Sequence, residues 1–444
     1  KNMSFDLIYP WELQNVIKST SSPGTLKLDK DYEAQSGEGA ITIESGKSIT
    51  IDLNGHTIDR GLNSATSSGN VITVKGTLTV EDNSTAGTGK ITGGNTTGNG
   101  SGVKIETNGT FTLKGGSIED NEINNDYGNG GGVYVGGTFI MTGGSITNNR
   151  ANGSSTSGGG VYVGGTFTMT GGSITGNNAY KGGGVFNNGN SQIVFKMTGG
   201  SITNNTAKAS GGGVNINGEK WEVTVGGNAK ITGNTAGAEE SKVENNVYLP
   251  SGNKYITIGT DNDKPINGMK IGVTTGTAPT EKIPCRITTN GTANDTVYFT
   301  SDNDAYEVKF NGNYLELAVK TTPSHTHTFA YAASNNKLTA ACTVGCNEGY
   351  DKNPLTLTLT APKNLIYDGN PKGVAFTNDE VTRWTSAGLT PPDIIYYIKP
   401  SGQSEYEPME GLPTDAGDYM AEITVEQKTA QVKFAIEKAA SESF

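Results

Sequence analysis

Gly158-Gly159-Gly160-Val161-Tyr162-Val163-Gly164-Gly165-Thr166-Phe167-Thr168-Met169-Thr170-Gly171-Gly172-Ser173-Ile174-Thr175 is one copy of a sentence that the chain writes five times between Ser101 and Gly237. Phe111, Phe139, Phe167, Phe195 and Val223 recur at a constant step of 28, as do Leu113, Met141, Met169, Met197 and Val225. Ile118, Ile146, Ile174, Ile202 and Ile231 follow at steps of 28, 28, 28 and 29. A fixed period of this size marks a solenoid, a propeller or an array. Each copy holds three short alternating pieces, Val-Tyr-Val, Phe-Thr-Met and Ser-Ile-Thr, joined by Gly-Gly pairs or a polar loop. Alternation turns every second side chain to one face, so Val161, Val163, Phe167, Met169 and Ile174 are expected to point inward. The pieces are too short for helices, and a propeller blade needs about 40 residues and four strands. Three strands with glycine at the bends describe one coil of a parallel β-helix. Coils stacked at roughly 4.7–4.9 Å place Phe on Phe, Met on Met and Ile on Ile. The same stacking predicts an asparagine column at the third corner, Asn121, Asn148, Asn177, Asn204 and Asn234, bonded amide to amide.

The flanking sequence extends this all-β reading. Leu13, Val16 and Ile17 have helical spacing and predict a short N-terminal helix that caps the first coil. Less regular strands follow from Leu26, among them Ser48–Leu53 and Val71–Val80. After the five copies the pattern continues with longer turns to a hairpin at Tyr306–Leu317, signalled by Asn311-Gly312-Asn313 between two alternating runs. Residues 1–320 are therefore read as the β-helix with its cap. Residues 321–353 carry His325-Thr326-His327 and Cys342-Thr343-Val344-Gly345-Cys346 and read as a small hairpin module. Residues 354–444 hold six short alternating runs with frequent turn signals, which predicts a β-sandwich.

Composition bounds the function. Hydrophobic residues are 33% of the chain, Gly is 64 of 444 and the net charge is −11, values that lean towards disorder until the repeat is recognised. The acidic balance argues against nucleic acid and anionic membranes as partners, since both need a basic face. No apolar run approaches the ~18–20 residues of a membrane span. Three cysteines make no disulfide framework.

The Asp52-Leu53-Asn54-Gly55-His56-Thr57-Ile58 run, the GGGVYV and MTGGSIT repeats, Asn246-Val247-Tyr248-Leu249-Pro250 and the closing hairpin together resemble the right-handed parallel β-helix region of large surface proteins from Gram-positive gut bacteria. Asp415-Ala416-Gly417-Asp418-Tyr419 has the pattern of a tyrosine corner. With Ile366-Tyr367-Asp368-Gly369 it makes the last unit similar to the YDG-type immunoglobulin-like modules of bacterial surface proteins. The resemblance implies an extracellular, cell-surface, adhesin-like protein whose signal and anchor lie outside this stretch of sequence. Its partner is then a host or dietary glycan or a surface protein, and the chain is expected as a monomer.

Several sets of residues bear on chemistry. Parallel β-helices also host pectate lyases and polygalacturonases, which cluster carboxylates on adjacent coils. Glycoside cleavage needs two carboxyl groups roughly 5–9.5 Å apart. Glu106, Glu119, Glu122 and Asp126 crowd one coil, but nothing answers them on the next, and the polygalacturonase motifs are not present; no catalytic role is expected. The better surface feature is the column leaving each coil between two inward valines: Lys104, Tyr134, Tyr162, Phe186, Asn215. Tyr134, Tyr162 and Phe186 are expected to form an outward aromatic strip that stacks on sugar rings or receives a protein, with Tyr127 and Tyr180 contributed by variable loops. The plainer alternative is a stack that only stiffens the coils. His325, His327, Cys342 and Cys346 can hold a structural zinc; a Cys342–Cys346 disulfide and free thiols are the alternatives. His56 reads as a structural hydrogen-bonding residue.

Overall fold

A computed structural model of the chain describes residues 12–35, 37–187, 193–217, 221–250, 254–320, 327–343, 349–350 and 353–438. It separates into two compact units, 1–320 and 321–444. The first is a parallel β-helix.

Each regular coil contributes to four ladders. In the coil of the quoted sentence the strands are Val161–Val163, Thr166–Met169, Ser173–Thr175 and Asn178–Lys181. Val161–Val163 pairs in parallel with Val133–Val135 below and Val185–Asn187 above. Thr166–Met169 lies between Thr138–Met141 and Ile193–Met197 in a sheet of nine strands. Ser173–Thr175 lies between Ser145–Thr147 and Ser201–Thr203. The fourth ladder is short, often a pair of residues per coil, and runs through Arg150–Ala151 and Asn178–Lys181. Its strands stand where a polar loop was expected, because stacking pairs any backbone that repeats at the same height.

The predicted inward residues Val161, Val163, Phe167, Met169 and Ile174 are all 0% exposed. Successive rings in the second ladder stack, with centroids 5.2, 4.7 and 5.2 Å apart from Phe111 through Phe139 and Phe167 to Phe195. The glycine triplet is a steric requirement of the narrow coil. A Cβ on Gly160 would stand 2.6 Å from the carbonyl oxygen of Gly184 in the next coil and 3.1 Å from the Asn177 amide.

The asparagine column exists with a corrected membership: Asn121, Asn149, Asn177, Asn205, Asn234 and then Asn246. Asn148 and Asn204, expected in it, stand one position earlier at left-handed corners, with φ of 55° and 56°, equivalent to Asp120, Gly176 and Gly233. Asn, Asp and Gly are the residues that tolerate that conformation, so the corner and the column compete for the same amino acid. Within the column each side-chain oxygen from Asn149 onward accepts both the backbone N–H and the Nδ2 of the asparagine before it, at 3.0 Å each for Asn177 from Asn149, and the Asn121 oxygen accepts the Gly94 N–H. The last step is to a carboxylate: the backbone N–H and Nδ2 of Asn246 donate to the two oxygens of Asp302, each at 2.7 Å.

Both ends of the β-helix are closed. Helix α1, Glu12–Ser19, buries Leu13, Gln14 and Ile17, while Val16 is half-buried. Gln14 is the residue that periodicity did not single out. Its amide donates to the Thr42 carbonyl and accepts from the Thr42 N–H, so a side chain takes the place of a strand at an otherwise open edge. At the other end the predicted hairpin forms from Tyr306–Phe310 and Leu315–Val319, with Leu315 and Leu317 in the core. The Arg286 guanidinium lies between the rings of Tyr255 and Tyr314, 4.5 and 4.3 Å from their centroids.

In the second unit, strands Phe329–Ser334 and Lys337–Cys342 form the expected hairpin, and Lys337–Cys342 also pairs with Leu355–Thr358. Leu338 and Ala340 share one apolar core with Leu355, Trp384, Tyr419 and Phe434, so no break in packing falls at residue 353. A four-stranded antiparallel sheet is built from Ile395–Lys399, Glu407–Met409, Gly417–Val425 and Lys428–Ile436. The Tyr419 hydroxyl donates to the Asp415 carbonyl at 2.9 Å, the tyrosine-corner bond. Two expected strands shrink to isolated bridges, Ile366 with Glu437 and Ala375 with Thr360. Between the expected strands stands helix α2, Asn378–Ser386, opened by a Thr377/Glu380 capping box. The signal Thr-x-x-Glu was present in the sequence and is a standard helix start.

Candidate functional site

The first ladder sets the outward column in parallel register: Lys104, Tyr134, Tyr162, Phe186, Asn215 and Tyr248. Tyr134 and Tyr162 stack at 5.2 Å with planes 6° apart, and Tyr162 and Phe186 at 5.7 Å and 17°. A Cβ on Gly164, in the Gly-Gly pair after Val-Tyr-Val, would come closest to the Val135 carbonyl oxygen, at 3.2 Å, and would meet Tyr162 Cε1 and the Tyr134 hydroxyl only at ordinary van der Waals distances of 3.5 and 3.9 Å. Burial pushes the Tyr134 phenol pKa up, and the charge of Glu106 adds to it.

The column is not a uniformly exposed strip. Tyr134 and Tyr162 are half-buried, and Phe186 is only 2% exposed. The step from Tyr162 to Phe186 is 24, whereas the second and third ladders keep a step of 28 across the same coils. The shortening falls in the turn before Phe186, which runs directly from Asn178–Lys181 into the next strand. Tyr180 and Lys181 are thereby held beside Phe186.

A surface cavity of about 310 Å³ results. Tyr162, Tyr180 and Phe186 supply its aromatic lining, and Asn129, Ser155, Ser157, Lys181 and Asn217 its polar lining. Asn129, Ser157 and Lys181 are consecutive bridge partners along the stack. Thr156, itself 0% exposed, donates to the carbonyls of Ala151 and Gly153 at 2.7 and 3.0 Å and so fixes the turn that carries Ser155 and Ser157. Of the five expected binding residues, then, the fold brings Tyr162, Phe186 and Tyr180 together. Tyr134 supports Tyr162 from the coil below, and Tyr127, 77% exposed, does not line the cavity. Lys181, Ser155, Ser157, Asn129 and Asn217 were missed. The shortened step in the first ladder was the signal that marked this coil.

A second cavity, about 510 Å³, lies on the third ladder near its start and is lined by Asp31, Tyr32, Glu33, Thr57, Asp59, Lys90 and Thr92. Glu33 and Asp59 are register partners on adjacent coils, so two carboxylates do answer each other there. Asp59 accepts the Gly61 N–H at 2.7 Å, and Asp31 accepts the Thr57 N–H at 2.8 Å and faces His56 Nδ1 at 3.3 Å. His56 thus has the hydrogen-bonding role expected of it. The carboxylates noted from the sequence are dispersed instead: Glu106 pairs with Lys104, Glu119 with Lys90, Glu122 with Asn152, and Asp126 with Ser154.

His327 Nδ1 lies 3.5 Å from the Cys342 sulfur. The other two residues of the expected zinc set, His325 and Cys346, lie outside the described residues. Among the described residues no three His, Cys, Asp or Glu side chains are grouped as metal ligands, and no helix is long and apolar enough to cross a membrane. Comparison with protein-family models, with curated proteins and with solved structures returns no match.

Proposed function

We propose that this chain is an extracellular binding protein whose β-helix presents a saccharide site at the Tyr162/Tyr180/Phe186 cavity. One observation carries the reading: three aromatic side chains and a set of hydrogen-bonding groups converge on a single concavity at the coil where the repeat is broken. Its volume stands at the lower end of ligand pockets, about 300–1,000 Å³, which suits one or two sugar residues. Aromatic faces stack on the apolar faces of sugar rings, and Ser, Asn and Lys groups bond their hydroxyls. Rigid coils beneath variable turns are the usual setting for recognition. The resemblance to bacterial surface proteins supports a cell-surface location, with the second unit as a spacer. Tyr180 is the residue to test, because it stands outside the aromatic stack. Tyr180→Ala is expected to weaken glycan binding about tenfold, or about 1.4 kcal/mol, on a glycan array and by calorimetry, with an unchanged melting temperature. Unchanged binding in that variant would remove the site, and an array on which the parent chain binds nothing would favour a purely structural stalk.

A second reading, polysaccharide cleavage, has the Glu33/Asp59 pair behind it. Neighbouring strands separated by roughly 4.7–4.9 Å can hold two carboxyl groups at the roughly 5–5.5 Å of a retaining glycosidase. Incubation with a polysaccharide panel tests it: new reducing ends that vanish in Glu33→Gln support cleavage, and none from the parent chain dismisses it. A structural zinc on His325, His327, Cys342 and Cys346 is decided by metal analysis of the purified protein. Stoichiometric zinc that a chelator removes supports it; substoichiometric metal after dialysis without chelator does not.

A further inference from the structure

We infer that the saccharide taken by the Tyr162/Tyr180/Phe186 cavity is acidic, carrying a carboxylate or sulfate group that meets Lys181. The inference rests on the binding reading above and adds the ligand's charge. Lys181 is the only charged residue among the described residues that line the cavity. It enters no ion pair among the described residues, whereas Lys196 on the next coil and Lys104 two coils below are matched with Asp263 and Glu106 at 2.6 and 2.9 Å. In a chain of net charge −11, an ammonium beside a cavity with no described carboxylate in its lining is a local reversal of sign. Its backbone is fixed: the Lys181 N–H donates to the Thr156 carbonyl at 3.2 Å and its own carbonyl accepts from Gly158 at 3.0 Å. The residue is therefore anchored through its main chain in the lining of the cavity, and its flexible stem lets the ammonium reach a bound anion. An ammonium–carboxylate or ammonium–sulfate hydrogen bond is about twice as strong as a neutral one, and partial enclosure reduces its screening.

An array of matched neutral, carboxylated and sulfated saccharides, probed with the full chain and with Lys181→Gln and Tyr180→Ala, tests this. The parent is expected to bind the acidic members of matched pairs about tenfold more tightly than the neutral ones, and to lose that preference as ionic strength rises. Lys181→Gln is expected to bring acidic saccharides down to the level of the neutral ones while the melting temperature stays constant. Tyr180→Ala is expected to weaken both. Equal parent affinity for neutral and acidic members, or an acidic preference that Lys181→Gln retains, overturns the charge assignment and leaves the saccharide site standing. Binding that Tyr180→Ala leaves intact overturns the site itself.

Discussion

Replacing Asn177 by Leu, close to it in shape, removes the central link of the asparagine column. Its oxygen accepts the Asn149 N–H and Nδ2, and its Nδ2 donates to the Ile146 and Thr175 carbonyls and to the Asn205 oxygen at 2.9–3.0 Å. After substitution Asn149 Nδ2 keeps its bonds to Ile118 and Thr147, and the Asn205 oxygen keeps the backbone N–H of position 177. The Asn149 backbone N–H loses its partner in a site that is 0% exposed. One orphaned buried donor costs about 1–3 kcal/mol and each further lost hydrogen bond about 0.5–1.5 kcal/mol, with the added apolar surface offsetting part. A net destabilisation of about 2–4 kcal/mol is expected. Asn177→Asp is expected to be worse, because a second oxygen would then face three acceptors. Ser173→Ala, on the outward side of the same coil, is the control and is expected within about 0.5 kcal/mol of the parent. Urea unfolding followed by circular dichroism gives the energies, and amide hydrogen exchange resolved to Asn149 gives the location. Since each coil contacts only its neighbours, the loss of protection is expected to centre on the coils of Asn149 and Asn177. An Asn177→Leu variant as stable as the Ser173→Ala control, with the Asn149 amide still slow to exchange, would refute the accounting.

Three further outcomes are expected. Asn187 occupies an inward position between Val163 and Ile216, and neither polar atom of its 0%-exposed side chain has a partner among the described residues; Asn187→Val is expected to stabilise by about 1–3 kcal/mol in the same unfolding assay, and a loss would show a structural role for the amide. Burial raises the Asp302 pKa above its ordinary 3.8, although the bonds from Asn246 and Thr274 oppose it. Its contribution to stability is therefore full below the ordinary value and is lost as pH rises through the raised one. Asp302→Asn is expected to flatten that decline in a pH series of melting temperatures, and an identical pH dependence in parent and variant would show that Asp302 does not cause it. Gly160→Ala, which sets a Cβ against the Gly184 carbonyl, is expected to lower the melting temperature more than Gly164→Ala, where the nearest backbone atom is 3.2 Å away; equal losses would show that the triplet is not the tighter approach.

Much of the scaffold could be read directly. Inward columns such as Phe111, Phe139, Phe167 and Phe195 were legible because a coil that stacks in register must repeat its core residues at one interval. The asparagine column was legible in kind, and a strict step of 28 gives its true members, Asn149 and Asn205, in place of Asn148 and Asn204. The Glu33/Asp59 pair was not legible, since these two positions are related by a step of 26 in irregular coils, outside the repeat that fixes register elsewhere. Helix α2 had a readable capping box, but the surrounding strand-like runs outweighed it.

The sequence by itself determined that residues 1–320 form a parallel β-helix with aromatic residues on its first ladder, because period and alternation leave few other ways to bury Phe, Met, Val and Ile together. Only the tertiary structure decided which of those aromatics meet in a cavity. The shortened turn before Phe186 brings Tyr180 and Lys181 against the column beside the buried Phe186, while Tyr127, on a turn two coils below, stays in solvent. Register is a one-dimensional property that a chain can carry in its spacing. The step of 24 marks where the turn shortens, but which side chains that turn brings against the neighbouring coil depends on how both pack in three dimensions.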